Sequence, residues 1–207
     1  MCVLQWYHQK ICFGRKTEPA FPQPTPEGSP MCKLTPDLRL AHATDLSASR
    51  LAEHGVRLLL LDLDNTLAPY EQPEPDEALL AWLSSLSDAG IRCVIVSNND
   101  EERVSRFTSA GFSVPYYTHA HKPFSRAFRR AIKEAGVRRD ETAAMGDQIY
   151  TDLLAARGAG VPFVVIVPPI RDRRDLLTRF KRLCERPVMR AYARKHKRRE
   201  QDDRQEG

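Results

Sequence analysis

Short apolar runs alternate along this chain with stretches whose apolar positions recur at helical spacing. The runs at 57–62, 91–96, 116–118, 142–146 and 161–167 have strand length and are rich in Leu, Val and Ile. Between them, residues 45–54 predict a helix with Asp45 as N-cap and Gly55 as its stop. A second helix starts at Pro75-Asp76, with Leu79, Leu80, Trp82, Leu83 and Leu86 as its buried face, so Trp82 reads as core. A third covers 100–110 with Val104 and Phe107 inward, a fourth 124–135 up to Gly136, and a fifth about 150–159. Strand–helix alternation of this kind predicts an α/β fold, a doubly wound parallel sheet.

The strand ends carry the chemistry. The first apolar run stops abruptly at Asp62 and Asp64. Two residues apart on a continuing strand, both side chains would point the same way. Past the strand end the backbone can turn, so that one residue offers a carbonyl and the other a carboxylate. Two such carboxylates repel unless a cation or a shared proton relieves them, and oxygen ligands suit a hard ion such as Mg²⁺. An isolated Asp-x-Asp is equally a solvated turn. Three more polar clusters lie at later strand ends: Ser97-Asn98-Asn99, His121-Lys122-Pro123, and Gly146-Asp147 with Asp152 five residues on. Singly, these are a turn with Asn99 or Asp100 as helix cap, a helix start, and another turn. Jointly, Asp62, Ser97, Lys122 and Asp147 follow at intervals of 35, 25 and 25 residues, and a parallel sheet brings such ends to one edge.

Asp62-Leu63-Asp64-Asn65-Thr66-Leu67, Val96-Ser97-Asn98-Asn99, Ala120-His121-Lys122-Pro123 and the segment from Gly146 to Asp152 together resemble the haloacid dehalogenase (HAD) superfamily. Within it they resemble the YqeG-type, subclass IIIA phosphatases, which are similar to phosphatidylglycerophosphate phosphatases. The resemblance implies a HAD-like Rossmannoid fold and a Mg²⁺-dependent phosphomonoester hydrolase that forms an aspartyl-phosphate. It implies Asp62 as nucleophile and Asp64 as general acid and base. Ser97, the Asn98 backbone N–H and Lys122 would bind the phosphoryl oxygens, Lys122 also holding Asp62 ionised. The implied metal set is Asp62, Asp64 through its carbonyl, Asp147, and Asp152 directly or through water. Thr66 reads as fixing the turn. His119 and His121 read as loop residues, with His121 within reach of substrate. The intervals from Asp62 to Ser97 and from Ser97 to Lys122 are too short for a cap domain, so an open site without a cap is expected.

Bulk properties add partners and boundaries. The 207 residues suit one domain. The expected division is a Pro-rich extension at 1–33, the phosphatase domain at 34–187 and a basic tail at 188–207. Residues 19–30 read as a linker of polyproline type, and Met31 as an alternative start. No apolar run approaches membrane-spanning length, and Gln5, His8, Gln9 and Lys10 break up the first ten residues. These features predict a cytoplasmic protein, or one peripheral at the inner face of the membrane. Five cysteines without a CxxC spacing indicate neither a zinc ribbon nor a disulfide framework, and Cys93 reads as core. Net charge is +5, yet residues 171–207 hold 14 Lys and Arg against 7 Asp and Glu. That segment is compatible with an anionic membrane surface, with RNA, or with a helix packed on the domain. Two alternatives to a lipid phosphatase therefore stay open: a phosphatase of a soluble ester or phosphoprotein, and a non-catalytic RNA- or ribosome-associated factor.

Overall fold

The computed structural model describes residues 35–171 and, in the C-terminal segment, residues 187, 188, 190 and 192–194. Six strands form one parallel sheet: β1 (Leu38–Arg39), β2 (Leu58–Leu61), β3 (Arg92–Val96), β4 (Tyr116–Tyr117), β5 (Thr142–Gly146) and β6 (Phe163–Ile166), in the order β1-β6-β5-β2-β3-β4. The helices are α1 (Ala48–Glu53), α2 (Glu77–Asp88), α3 (Glu101–Ser109), α4 (Arg126–Ala135) and α5 (Leu154–Ala159). The chain runs outward from β2 to β3 and β4, then returns to β5 on the other side. The order thus reverses between β2 and β5, and ligands of open α/β sheets bind at such a point, beyond the carboxyl strand ends.

The sheet is buried on both faces, and the period of two sorts its residues cleanly. Leu59, Leu61, Cys93, Ile95, Ala143, Met145, Phe163 and Val165 share a core with α1, α2 and α3. Leu58, Leu60, Val94, Val96, Ala144, Val164 and Ile166 share the other with α4 and α5. Each fully buried leucine contributes about 1.5–3 kcal/mol. Trp82 is buried and its indole N–H donates to the Leu46 carbonyl at 2.8 Å. Asp76 and Asp100 cap α2 and α3 through Leu79 N and Arg103 N. Between β2 and β3 lies only a loop and α2, and between β3 and β4 only α3 and a loop. Among the described residues there is no cap domain.

Three expectations are corrected in detail. The helix expected over 45–54 is a 3₁₀ turn at Ala43–Asp45 followed by α1, capped by Ser47. Asp45 instead accepts from His42 N–H at 2.9 Å, and the extended Leu46 separates the two turns. The helix expected from 124 begins at Arg126. The fifth opens with a π turn, Ile149–Leu153, before α5. β1 was not foreseen, since two residues carry no period. It is fixed by polar bonds: the Asp37 carboxylate accepts from Val164 N–H and from Arg157, both at 2.7 Å. The extension at 1–33, with Met31, and most of the basic tail lie outside the described residues. The described positions from 187 to 194, where the basic tail was expected to begin, are helical, and Val188 packs on the α4/α5 core. No helix among the described residues is long and apolar enough to cross a membrane.

Asp37→Ala removes the two side-chain bonds from the edge segment to Val164 and Arg157, leaving its backbone bonds to β6 in place. It should lower the unfolding free energy by about 1–3 kcal/mol in urea denaturation.

Candidate active site

The β2/β5 reversal places the ends of those strands side by side, with Asp62 N–H donating to the Met145 carbonyl at 3.0 Å. Asp62 follows Leu61 directly and is buried. Its Oδ2 accepts from the Thr66 hydroxyl at 2.8 Å, so Thr66 holds the carboxylate itself as well as the turn. The loop between them folds back on the Leu63 carbonyl and is joined by Ile170 N–H, which donates to the Asn65 carbonyl. Lys122 arrives from the loop after β4. Its Nζ donates to Asp62 Oδ1 and, at 2.6 Å, to Asp152 Oδ1. The Asn98 side chain braces this lysine, accepting from its backbone N–H at 2.7 Å and donating to its carbonyl at 3.3 Å.

Asp147 and Asp152 come from the end of β5 and the π turn. One oxygen each of Asp62, Asp147 and Asp152 lies within 4.8 Å of the others. Asp152 Oδ2 is held by Gln148 N–H at 3.1 Å and the Thr151 hydroxyl at 3.3 Å. Gly146 makes room for it: a Cβ there would overlap Asp152 Cβ and Cγ and come within 2.6 Å of its Oδ2. Asp147 Oδ1 is buried and has no hydrogen-bond partner among the described residues. A buried carboxylate oxygen without a donor is costly, and its two neighbouring carboxylates supply no proton. The donor set is therefore all oxygen and incompletely satisfied, which fits a hard divalent cation.

Electrostatics follow from burial. Burial pushes the Asp147 carboxyl up to about 9, with Asp62 and Asp152 adding to the rise. Burial pushes Asp152 up to about 6 against the opposing charge of Lys122. For Lys122 burial acts downward, but Asp152 and Asp62 outweigh it and the ammonium is held above its ordinary value.

The remaining expected residues divide. Ser97 is buried beside the cluster, and its hydroxyl accepts from Asn99 N–H at 3.0 Å. The Asp64 carboxylate does not join the other three. It turns toward α3, where Oδ2 accepts from Asn99 Nδ2 and Oδ1 from Arg103 Nε, each at 3.1 Å. Burial raises its pKa, while Asn99 and Arg103 act in the other direction. His119 and His121 are exposed loop residues outside the carboxylate group. Arg103 and Gly146 were not singled out from the sequence. Arg103 did carry a signal, since a cation in the first turn of a helix opposes the helix dipole and implies a specific partner.

Gly146→Ala should displace Asp152 and cost about 1–3 kcal/mol in chemical denaturation, the usual range for overpacking. The raised carboxyls of Asp147 and Asp152 also predict a pH dependence. An acid with a higher pKa folded than unfolded binds more protons when folded, so stability falls as pH rises through that interval. With a chelator present, the melting temperature should fall between about pH 5 and about pH 9. Asp147→Asn should flatten the upper half of that slope in a calorimetric pH series.

Comparisons with known proteins bear on this geometry. The model of the haloacid dehalogenase-like hydrolase family matches residues 48–160. "Probable phosphatase YqeG" of Bacillus subtilis (strain 168) is 32% identical over 160 residues, covering 77% of this chain and 92% of that relative. Among solved structures, the cobalt-bound deoxy-D-mannose-octulosonate 8-phosphate phosphatase of Haemophilus influenzae is 16% identical with a TM-score of 0.44, covering 69% of this chain and 92% of that one. The 3-deoxy-D-manno-octulosonate 8-phosphate phosphatase of Moraxella catarrhalis, in complex with magnesium, phosphate and KDO, is 13% identical with a TM-score of 0.41, covering 73% of this chain and 96% of that one. Structural likeness at these scores adds nothing to the two sequence matches, which suffice: the chain belongs to the haloacid dehalogenase-like hydrolases and, among them, groups with the YqeG-type phosphatases.

Proposed function

We propose that this phosphatase is a Mg²⁺-dependent phosphomonoester hydrolase that works through an aspartyl-phosphate on Asp62. The observation that carries the reading is one buried ammonium, Lys122, shared between Asp62 and Asp152 beside an Asp147 oxygen without a partner. A phosphate monoester is dianionic, so a site built on carboxylates needs added positive charge before it can accept one. Asp62, Asp147 and the Asp64 carbonyl would hold Mg²⁺, with Asp152 bound directly or through water. The bound ion supplies charge neutralisation at the phosphoryl oxygens.

The residues divide the remaining work. A carboxylate oxygen of Asp62 attacks phosphorus, and the bond to the leaving oxygen breaks with its electron pair. Asp64 gives its proton to that oxygen. Water then attacks the phosphorus of the aspartyl-phosphate, Asp64 takes its proton, and the electron pair of the breaking bond returns to Asp62. Ser97, the Asn98 backbone N–H and Lys122 bind the non-bridging oxygens and position the group in line. Lysine suits this place, because a compact charge serves the nucleophile and the phosphoryl group together.

The substrate we favour is phosphatidylglycerophosphate, presented at the surface of an anionic membrane. Support comes from the YqeG-type resemblance, from the lack of a cap over the described site, and from the rim. Tyr70, Phe124 and Ile170, the large apolar side chains exposed among the described residues, lie on the loops that leave β2, β4 and β6. The basic segment from 171 onward follows Ile170 directly in sequence. Apolar rim residues and nearby Lys/Arg are the two elements of interfacial binding.

Purified protein should hydrolyse p-nitrophenyl phosphate with Mg²⁺, lose that activity in EDTA and regain it on adding excess Mg²⁺. Asp62→Asn should lose on the order of 10⁴-fold or more in kcat. Phosphate release from vesicles containing phosphatidylglycerophosphate should exceed release from soluble glycerol phosphate. Equal turnover by wild type and Asp62→Asn would overturn the catalytic reading, and equal use of the two esters would overturn the lipid assignment.

A further inference from the structure

The mechanism gives no work to Arg103, although this arginine is only 9% exposed and sits in the first turn of α3. A buried guanidinium requires partners, and a cation at a helix N-terminus opposes the dipole as well. Its partners converge on one short loop. Nε donates to Asp64 Oδ1 at 3.1 Å, and NH2 donates to the Pro69 carbonyl at 3.3 Å. Its carbon Cζ lies 5.1 Å from the Phe107 ring centroid and 6.0 Å from that of Tyr70, within cation–π reach.

We infer that Arg103 is a positioning residue which, together with Asn99, sets the orientation of the Asp64 carboxylate for proton transfer. The inference rests on the reading of Asp64 as acid and base given above. Each Asp64 oxygen has one donor from this pair, Oδ1 from Arg103 and Oδ2 from Asn99, so rotation about its side chain breaks at least one bond. Asn99 lies two residues after Ser97, whose hydroxyl accepts its backbone N–H, and Arg103 follows in the first turn of α3, where its N–H donates to Asp100. The turn that would receive the phosphoryl oxygens and the fork that holds Asp64 therefore belong to one hydrogen-bonded segment. Asp62 is held separately, by Thr66 and Lys122. Loss of Arg103 should reach proton delivery while leaving the nucleophile in place.

Leaving-group dependence separates positioning from general structural support. Nitrophenolate leaves as a stable anion and needs little protonation, whereas an alkoxide needs a proton as it departs. The value of kcat/KM reports steps up to the first irreversible one, here transfer to Asp62. The full chain with Mg²⁺ is assayed on p-nitrophenyl phosphate and on glycerol phosphate. Arg103→Met should lose about 100-fold in kcat/KM on glycerol phosphate but less than about 5-fold on the nitrophenyl ester, with the loss in kcat rather than KM. Arg103→Lys, which keeps the charge but not the fork, should recover part of the loss. Asn99→Ala should show the same selectivity at about 10-fold, and it decides the matter alone should Arg103→Met fail to fold. Asp64→Asn is the reference. If it slows both esters alike, the acid–base reading fails and the positioning inference goes with it. If it discriminates between the esters while the Arg103 and Asn99 variants do not, the positioning inference alone is wrong.

Discussion

One ammonium group among three buried carboxylates is the constraint from which the rest of this site follows. Lys122 contacts Asp62 and Asp152, and Asp147 stands within reach of both acids with its Oδ1 lacking a hydrogen-bond partner among the described residues. Paired buried charges rarely stabilise a fold, because desolvation cancels most of the attraction. The arrangement is thus an expense that packing elsewhere must cover, and the two apolar layers on either face of the sheet are what cover it. Stability withheld from such a cluster leaves an incompletely satisfied, all-oxygen donor set of the kind that suits a hard cation.

The parallel sheet makes the cluster from residues far apart in sequence. Asp62 leaves β2, Lys122 follows β4, and Asp147 leaves β5, with β2 and β5 adjacent at the reversal of strand order. Ending β2 at Leu61 also separates the two aspartates. Asp62 turns to groups from the loops that precede α4 and α5, on one side of the sheet. Asp64 turns to Asn99 and Arg103, which belong with α3 on the other. Two carboxylates that strict alternation would have crowded together are given different supports, and so different chemistry.

How much of this was legible in the sequence depends on the range of the interaction. The four longer strands, the α/β class and the convergence of Asp62, Lys122, Asp147 and Asp152 follow from period-two and period-3.6 patterns, together with acids at strand ends, and the two-residue β4 from its β-prone Tyr116-Tyr117. β1 did not, because two residues give no period and its anchor is the remote pair Asp37–Arg157. The cap of α1 was misplaced because Asp45 and Ser47 both suit that role, and only the buried Leu46 with its bond from Trp82 decides between them. The side chain of Asn98 could not be placed from the sequence, since its partner is a backbone 24 residues away. The fork on Asp64 was likewise hidden, because it joins residues 35 and 39 apart through side chains alone.

The absence of a cap over the described site sharpens the role of these fixed supports. In enzymes that close over their substrate, the lid excludes water and completes the reaction centre. Here the supports of the centre are contacts within the chain: Thr66, Lys122 and Gln148 hold the acids on one side, and Asn99 and Arg103 hold Asp64 on the other. Preorganised charge of this kind needs no closure to be oriented, only a low dielectric to be strong. Burial provides that for the acids themselves. Beyond the strand ends, the loops that leave β2, β4 and β6 carry the exposed Tyr70, Phe124 and Ile170, so a low dielectric there has to come from whatever meets them.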